Sequence, residues 1–218
     1  MMEIKDMKVR MMSCRIIPLV NGDFAKAWKI PEDHHSVGFF ATDNDDVGYL
    51  AVDDATKKAN IQVIHAETYY GGYHCSWSSY GGSVFIMFSG PKVEDVRSGM
   101  RYVKDFLENH SRLRNFDGDE GTAFYAQTIP RIGKYFSELC HVPEGTSFAY
   151  LVGGPIETSY ALDKALKASD TKIGYYWFPP SHANSSGAVV VGTESACRAA
   201  ERAFVEALAY AISHPLEI

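Results

Sequence analysis

Long apolar runs, paired cysteines and an excess of positive charge are all missing from this chain, and each absence removes a class of protein. No apolar stretch approaches the roughly 20 residues that a membrane-spanning helix needs. The opening segment, MMEIKDMKVRMM, carries charges throughout and lacks the apolar centre of a signal peptide. A cytoplasmic location is therefore expected. The four cysteines, Cys14, Cys75, Cys140 and Cys197, stand far apart with no C-x-x-C pair, so neither structural zinc nor a disulfide framework is expected. The formal net charge is −6, which offers no bulk attraction to nucleic acid or to an anionic membrane. G-x-S-x-G, P-loop and H-E-x-x-H motifs are absent, as is a glycine-rich phosphate fingerprint.

What is present is a repeat. The 218 residues are 46% hydrophobic and 22% charged, a globular composition with room for one large domain or two small ones. The segment SVGFFATDNDDVGYLAVDDATKKA, from Ser36 to Ala59, returns as SFAYLVGGPIETSYALDKALKAS, from Ser147 to Ser169. Asp53-x-Ala55-x-Lys57 falls on Asp163-x-Ala165-x-Lys167. An offset near 110 residues is too long for a solenoid unit and suits a duplicated small domain.

In chain order, Cys14–Val20 reads as a strand, and Asn21-Gly22-Asp23 as a turn capping a short helix over Phe24–Trp28. Ser36–Thr42 is a strand, and the acidic turn after it opens a helix running to about Ala59. Ala51, Ala55 and Ala59 give that helix a thin face able to lie close on a sheet. Ile61–Tyr69 and Val84–Phe88 are strands. Pro91 suits the first position of the next helix, with Val93, Val96, Met100, Val103 and Leu107 inward. Leu113–Gly121 reads as a polar, acidic connection and marks the boundary. The second half repeats the order: a strand over Thr122–Thr128, a helix over Pro130–Cys140, a strand over Ser147–Val152 and a helix to about Ser169. Strands over Lys172–Phe178 and Gly187–Gly192 and a helix over Glu194–Ser213 complete it. Each half thus reads β-α-β-α-β-β-α, an α+β sandwich with helices packed on an antiparallel sheet.

Three features could carry function. Asp43, Asp45, Asp46, Asp53 and Asp54 form an acidic cluster. A metal or acid/base role would need converging partners; a solvated, helix-capping turn is the simpler reading, since anions suit a helix start. Tyr70–Gly82, YGGYHCSWSSYGG, is a long loop between glycine pairs, which permit hinge-like movement. Gly71, Gly72, Gly81 and Gly82 bracket Tyr73, His74, Cys75 and Trp77. His74 and Cys75 are weak metal candidates, two ligands that could converge only in a symmetric oligomer. Lys57 and Lys167 end equivalent helices, where a cation is favourable.

The residues D-x-A-[LT]-K-x-[AS], a strand, and then Gly90-Pro91-x-x-x-Asp95-Val96-Arg97-x-Gly99 resemble the bacterial microcompartment shell domain. Ala149-Tyr150-Leu151-Val152, Tyr160-Ala161-Leu162-Asp163-x-Ala165-Leu166-Lys167 and Ser195-Ala196-Cys197-Arg198-Ala199-Ala200 extend the likeness to the second half. Two copies in one chain resemble the tandem-domain shell proteins of the ethanolamine-utilisation type. The resemblance implies two tandem, permuted ferredoxin-like shell domains, 1–113 and 114–218. It implies a homotrimer forming a pseudohexagonal tile in a microcompartment shell beside other shell proteins, with no catalytic residues and no cofactor. It implies a central pore gated by the segment beginning at Tyr70, through which small metabolites pass, and shell-edge roles for Lys57 and Lys167. It also implies small-molecule binding at Asp45 and its neighbour Asp46, with an acid at the start of the following strand and an aromatic after the next helix. Those two positions are Ser83 and Leu113 here, and the loss of a carboxylate and a ring weakens a site for a cationic amine. The rival readings are a tandem ferredoxin-like ligand-binding regulatory protein and an enzyme acting at the acidic turn.

Overall fold

The computed structural model describes residues 3–69, 83–116, 122–179 and 185–216. It divides into two compact units, each built on its own antiparallel sheet. The first comprises Lys8–Ser111 together with Gly133–Tyr135; the second comprises Met1–Met7, Arg112–Ile132 and Phe136–Ile218.

The first unit contains β2 (Met11–Ile17), α1 (Gly22–Ala27), β3 (Ser36–Thr42), α2 (Asp45–Thr56), β4 (Gln62–Tyr69), β5 (Ser83–Gly90) and α3 (Val93–Asp105), which ends in a π-helical turn over Phe106–His110. Its sheet order is β2-β3-β5-β4. Alternation along the strands sends side chains to two faces. Phe40, Ile86 and Phe88 are buried, as are Val47, Leu50, Ala51 and Ala55 of α2 and Val96 and Val103 of α3. Val37, Met87 and Ile30 form a second cluster, joined by Phe24 of α1, by Trp28 just after it, and by Phe39 and Phe85. Alanine at 51 and 55, both fully buried, keeps α2 thin where it meets the sheet.

The second unit repeats the order with β7 (Ala123–Ile129), α4 (Lys134–Cys140, whose first two residues belong to the first unit), β8 (Ser147–Gly153), α5 (Pro155–Lys167), β9 (Thr171–Trp177), β10 (Ser186–Gly192) and α6 (Glu194–Ser213). Its β7-β8-β10-β9 order matches that of the first sheet. Ala161 and Ala165 of α5 and Cys197, Ala200, Phe204 and Leu208 of α6 pack on Ala149, Leu151, Ala188 and Val190. Equivalent serines fasten equivalent strand ends: Ser36 Oγ donates to the Pro18 carbonyl at 2.7 Å, and Ser147 Oγ to that of Pro130 at 2.8 Å.

Several element ends differ from expectation. The stretch expected to be a polar connection begins with a strand, β6 (Leu113–Phe116), in which Leu113, Asn115 and Phe116 are buried. It is held because it pairs with β7 on one side and with β1 (Ile4–Asp6) on the other, and Phe116 stacks on Phe124 with ring centroids 4.4 Å apart. Pro91 does not start α3. β5 runs through Ser89 and Gly90, and the helix begins two residues after the proline, where the Lys92 N–H donates to Asp95 Oδ2 at 3.1 Å. The helix expected from Pro130 starts only at Lys134.

Candidate functional site

The acidic turn between β3 and α2 is largely buried rather than solvated. Asp43, Asp45, Asp46 and Asp53 are each less than 8% exposed. Burying carboxylates is costly unless donors hold them. Asp43 receives the Arg10 backbone N–H at 2.8 Å and Arg10 Nε at 3.0 Å. The capping expected of the aspartates falls to Asn44, whose Oδ1 accepts from the Val47 N–H at 2.9 Å. Thr42 Oγ1 donates to the Asn44 carbonyl at 2.7 Å and so fixes the entry into α2. Gly48 brings the first turn of the helix against the sheet, because a Cβ there would overlap Thr42 and Val84.

Asp45 is the centre of the arrangement. Its Oδ1 accepts the Asp46 N–H at 3.0 Å and its Oδ2 accepts the Thr68 hydroxyl at 2.8 Å. With Thr68 donating to Asp45, the Tyr49 hydroxyl 2.8 Å away donates to Thr68. The result is a relay from Tyr49 through Thr68 to a carboxylate, in which each bond polarises the next. The helix N-terminus adds a favourable field for the carboxylate. The Tyr49 ring stacks on Tyr135 at 6.1 Å. Burial, with the neighbouring carboxylates, pushes the Tyr49 hydroxyl well above its ordinary pKa.

Thr68 is the penultimate residue of β4, and Ser83, 5% exposed, opens β5 opposite Tyr69. Asp45, Asp46 and Ser83 therefore lie at one end of one sheet, where β4 stops and β5 starts. Leu113 lies in β6 of the other unit, paired with Tyr125. The gate candidates Tyr70, Gly71, Gly72, Tyr73, His74, Cys75, Trp77, Gly81 and Gly82 lie outside the described residues. Among the described residues no cluster of three or more His, Cys, Asp or Glu could hold a metal ion.

The two edge lysines differ. Lys57 Nζ lies 3.2 Å from Asp54 and 3.7 Å from Asp53, with its side chain 20% exposed. Lys167 Nζ lies 2.7 Å from Asp163, with its side chain 72% exposed. Tyr49 and Thr68 are absent from the sequence-derived candidates. Tyr49 stands four residues after Asp45 on the same helical face, a spacing that could have flagged it. Nothing local in the sequence links Thr68 to Asp45.

The shell-domain likeness extends to whole chains and to solved structures. The BMC domain family matches residues 36–116. The chain is 38% identical to the bacterial microcompartment shell protein EutL of Clostridium perfringens over 205 residues, 94% of each chain. It is 36% identical to EutL of Escherichia coli over 203 residues, 93% of each. The crystal structure of the ethanolamine utilization protein EutL from Leptotrichia buccalis matches with a TM-score of 0.92 at 39% identity, covering 98% of this chain and 99% of that one. This chain belongs to the bacterial microcompartment shell proteins, and its place is the shell. Within them it is similar to EutL over nearly its full length, as a tandem arrangement of two such domains.

The relay makes stability depend on alkaline pH in a defined direction. Tyr49 binds its proton more tightly folded than unfolded, so its contribution is intact below the ordinary tyrosine pKa of about 10 and is lost as pH rises beyond it. Denaturant midpoints taken between pH 8 and 11 should fall steeply for the wild type and less steeply for Tyr49→Phe. Equal slopes would mean that this hydroxyl is free to ionise in the folded protein.

Proposed function

We propose that three copies of this chain close into a pseudohexagonal tile of a microcompartment shell, each contributing two shell domains divided near residue 113. The tile packs beside other shell proteins and is structural, with no catalysis and no cofactor of its own. The observation that carries this reading is the repeated β-α-β-α-β-β-α unit with matching strand order. Three copies of a doubled domain provide six similar sectors around one axis, the closed symmetry that a flat tile needs. Similarity to EutL over 94% of the chain supports it. Sedimentation should give a trimer, and electron microscopy of concentrated protein should show sheets or hexagonal arrays. Lys57→Ala and Lys167→Ala should keep the trimer and impair the sheets, Lys167→Ala more so because its side chain is the more exposed. Sheets formed as readily by both variants would remove the lysines from the tile edge.

At the tile's centre, Tyr70–Gly82 from three chains forms the gate of a metabolite pore. Gly71-Gly72 and Gly81-Gly82 act as hinges, and Tyr73, His74, Cys75 and Trp77 form the plug. Gly72→Pro with Gly81→Pro should change solute entry into assembled shells. Unchanged permeability with the trimer intact would mean that the segment gates nothing.

Asp45 and Asp46, with Ser83 at the same end of the first sheet, form the candidate small-molecule site. A cationic amine there would share the Asp45 carboxylate with Thr68 and would lack the acid that Ser83 replaces and the ring that Leu113 replaces. A lost charge-assisted hydrogen bond weakens binding about tenfold or more. Calorimetry with ethanolamine should therefore show no saturable binding below about a millimolar. Tight, saturable heat would restore an amine site.

A further inference from the structure

Asp53 is 1% exposed, and its environment explains how a carboxylate can sit there. Its Oδ2 accepts the Gly133 N–H at 2.9 Å, while Thr56 Oγ1 accepts the Lys134 N–H at 3.0 Å and donates to the Asp53 carbonyl at 2.7 Å. Lys57 Nζ lies 3.7 Å from the same Oδ2. The approach needs glycine, because a Cβ on Gly133 would overlap the Asp53 carbonyl and the Thr56 hydroxyl. A turn at the start of α4 thus sits on the last turn of α2, held through one backbone N–H by a buried carboxylate and through the next by a hydroxyl.

Both halves of this clasp have a counterpart elsewhere in the chain. Val20 N–H donates to the His35 carbonyl at 2.8 Å just as Ile132 N–H donates to the Thr146 carbonyl at 2.7 Å. With the matching serine–proline bonds, this makes Asn21-Gly22 the equivalent of Gly133-Lys134. On the helix, Asp163, Leu166 and Lys167 are the equivalents of Asp53, Thr56 and Lys57. These counterparts are exposed: Asn21, Gly22 and Asp23 all face solvent, and nothing lies within 4 Å of where a Cβ on Gly22 would stand. The Asp163 side chain is 54% exposed.

We propose that the Asn21–Asp23 turn of one copy docks on the last turn of α5 in a second copy, with Asp163 accepting backbone N–H groups of the Asn21-Gly22 turn. The partner is a second copy of this chain because the two surfaces repeat a contact the chain already makes with itself. By the same correspondence Asp23 takes the position of Tyr135, which stacks on Tyr49, and so comes beside Ser159 of the second copy as Asp163 takes the turn. Asp163 keeps Lys167 while doing so, as Asp53 keeps Lys57. The fit is looser than at Gly133, because Asn21 carries a side chain, folded back so that its Oδ1 accepts from the Asp23 N–H at 2.9 Å. The close approach therefore passes over Gly22. One copy's turn meets another copy's helix, so the contact is head-to-tail and closes only as a ring. The inference rests on the trimeric tile and names the contact that closes it.

Gly22→Cys and Asp163→Cys, combined in a chain with Cys14 and Cys75 replaced by serine, test it directly. Oxidation should link the double variant into oligomers of up to three chains on non-reducing gels, and neither single variant should do so. Asp163→Ala should raise the concentration at which the trimer dissociates about tenfold or more. Asp163→Asn, which keeps an acceptor, should restore most of the loss. A wild type that sediments as a trimer, with no interchain disulfide in the double variant and with Asp163→Ala unchanged, would overturn the contact and leave the tile standing. A wild type that sediments as a monomer would overturn both.

Discussion

Two helices can lie against each of these sheets only if the helix faces that meet them are thin. Ala51 and Ala55 in α2, and Ala161 and Ala165 in α5, are fully buried and meet that condition twice. Larger residues there would lift the helix and open voids at a packing density that tolerates few. The aspartate and lysine that flank these alanines follow from the same seating. On α2 the turn at Gly133 also covers Asp53, so this carboxylate must find donors, and Lys57 and the Gly133 N–H supply them, while the Lys134 N–H goes to the Thr56 hydroxyl. The recurrent D-x-A-x-K pattern is therefore a packing solution first, onto which edge and docking roles are added.

The duplication was legible because both its periods survive in the sequence. Ser36–Thr42 and Glu194–Ser213 emerge with the bounds that pattern alone suggests. What escaped was whatever depends on partners distant in the chain. β6 has Arg114 and Asn115 at its centre and an acidic segment after it, so it reads as a linker; its strand character comes from β1 and β7 on either side. The aspartates of the turn read as solvated because local sequence does not reveal that Arg10 and Thr68, 33 and 23 residues from their acceptors, will supply hydrogen bonds. Asp45 and Ser83 could be nominated from the resemblance, but the hydroxyl relay that engages Asp45 could not.

The two units share a frame and differ in what it holds. The first opens α2 with buried carboxylates and a tyrosine–threonine relay. The second opens α5 with Gly154 and Pro155, the proline standing where the first has Asp45, and its aromatic residues gather instead around Tyr150, with Phe136, Tyr125 and Trp177 within 6 Å. Duplication has left one copy free to keep polar chemistry at the helix start while the other became an apolar wall.

The pairing of Ile4 with Phe116 has a consequence for the order in which the protein is made. β1 is synthesised before the first unit yet belongs to the sheet of the second. At a synthesis rate of about 5–20 residues per second, it waits on the order of 6–20 seconds for its partner to emerge. During that interval Lys8–Ser111 can already close its four-stranded sheet. The leading segment must stay unpaired beside it, and its charged residues, Glu3, Lys5 and Asp6, disfavour premature edge-to-edge pairing. β1 therefore reports on completion of the distal half, and an early ribosomal stall would leave it unpaired after the first unit has closed.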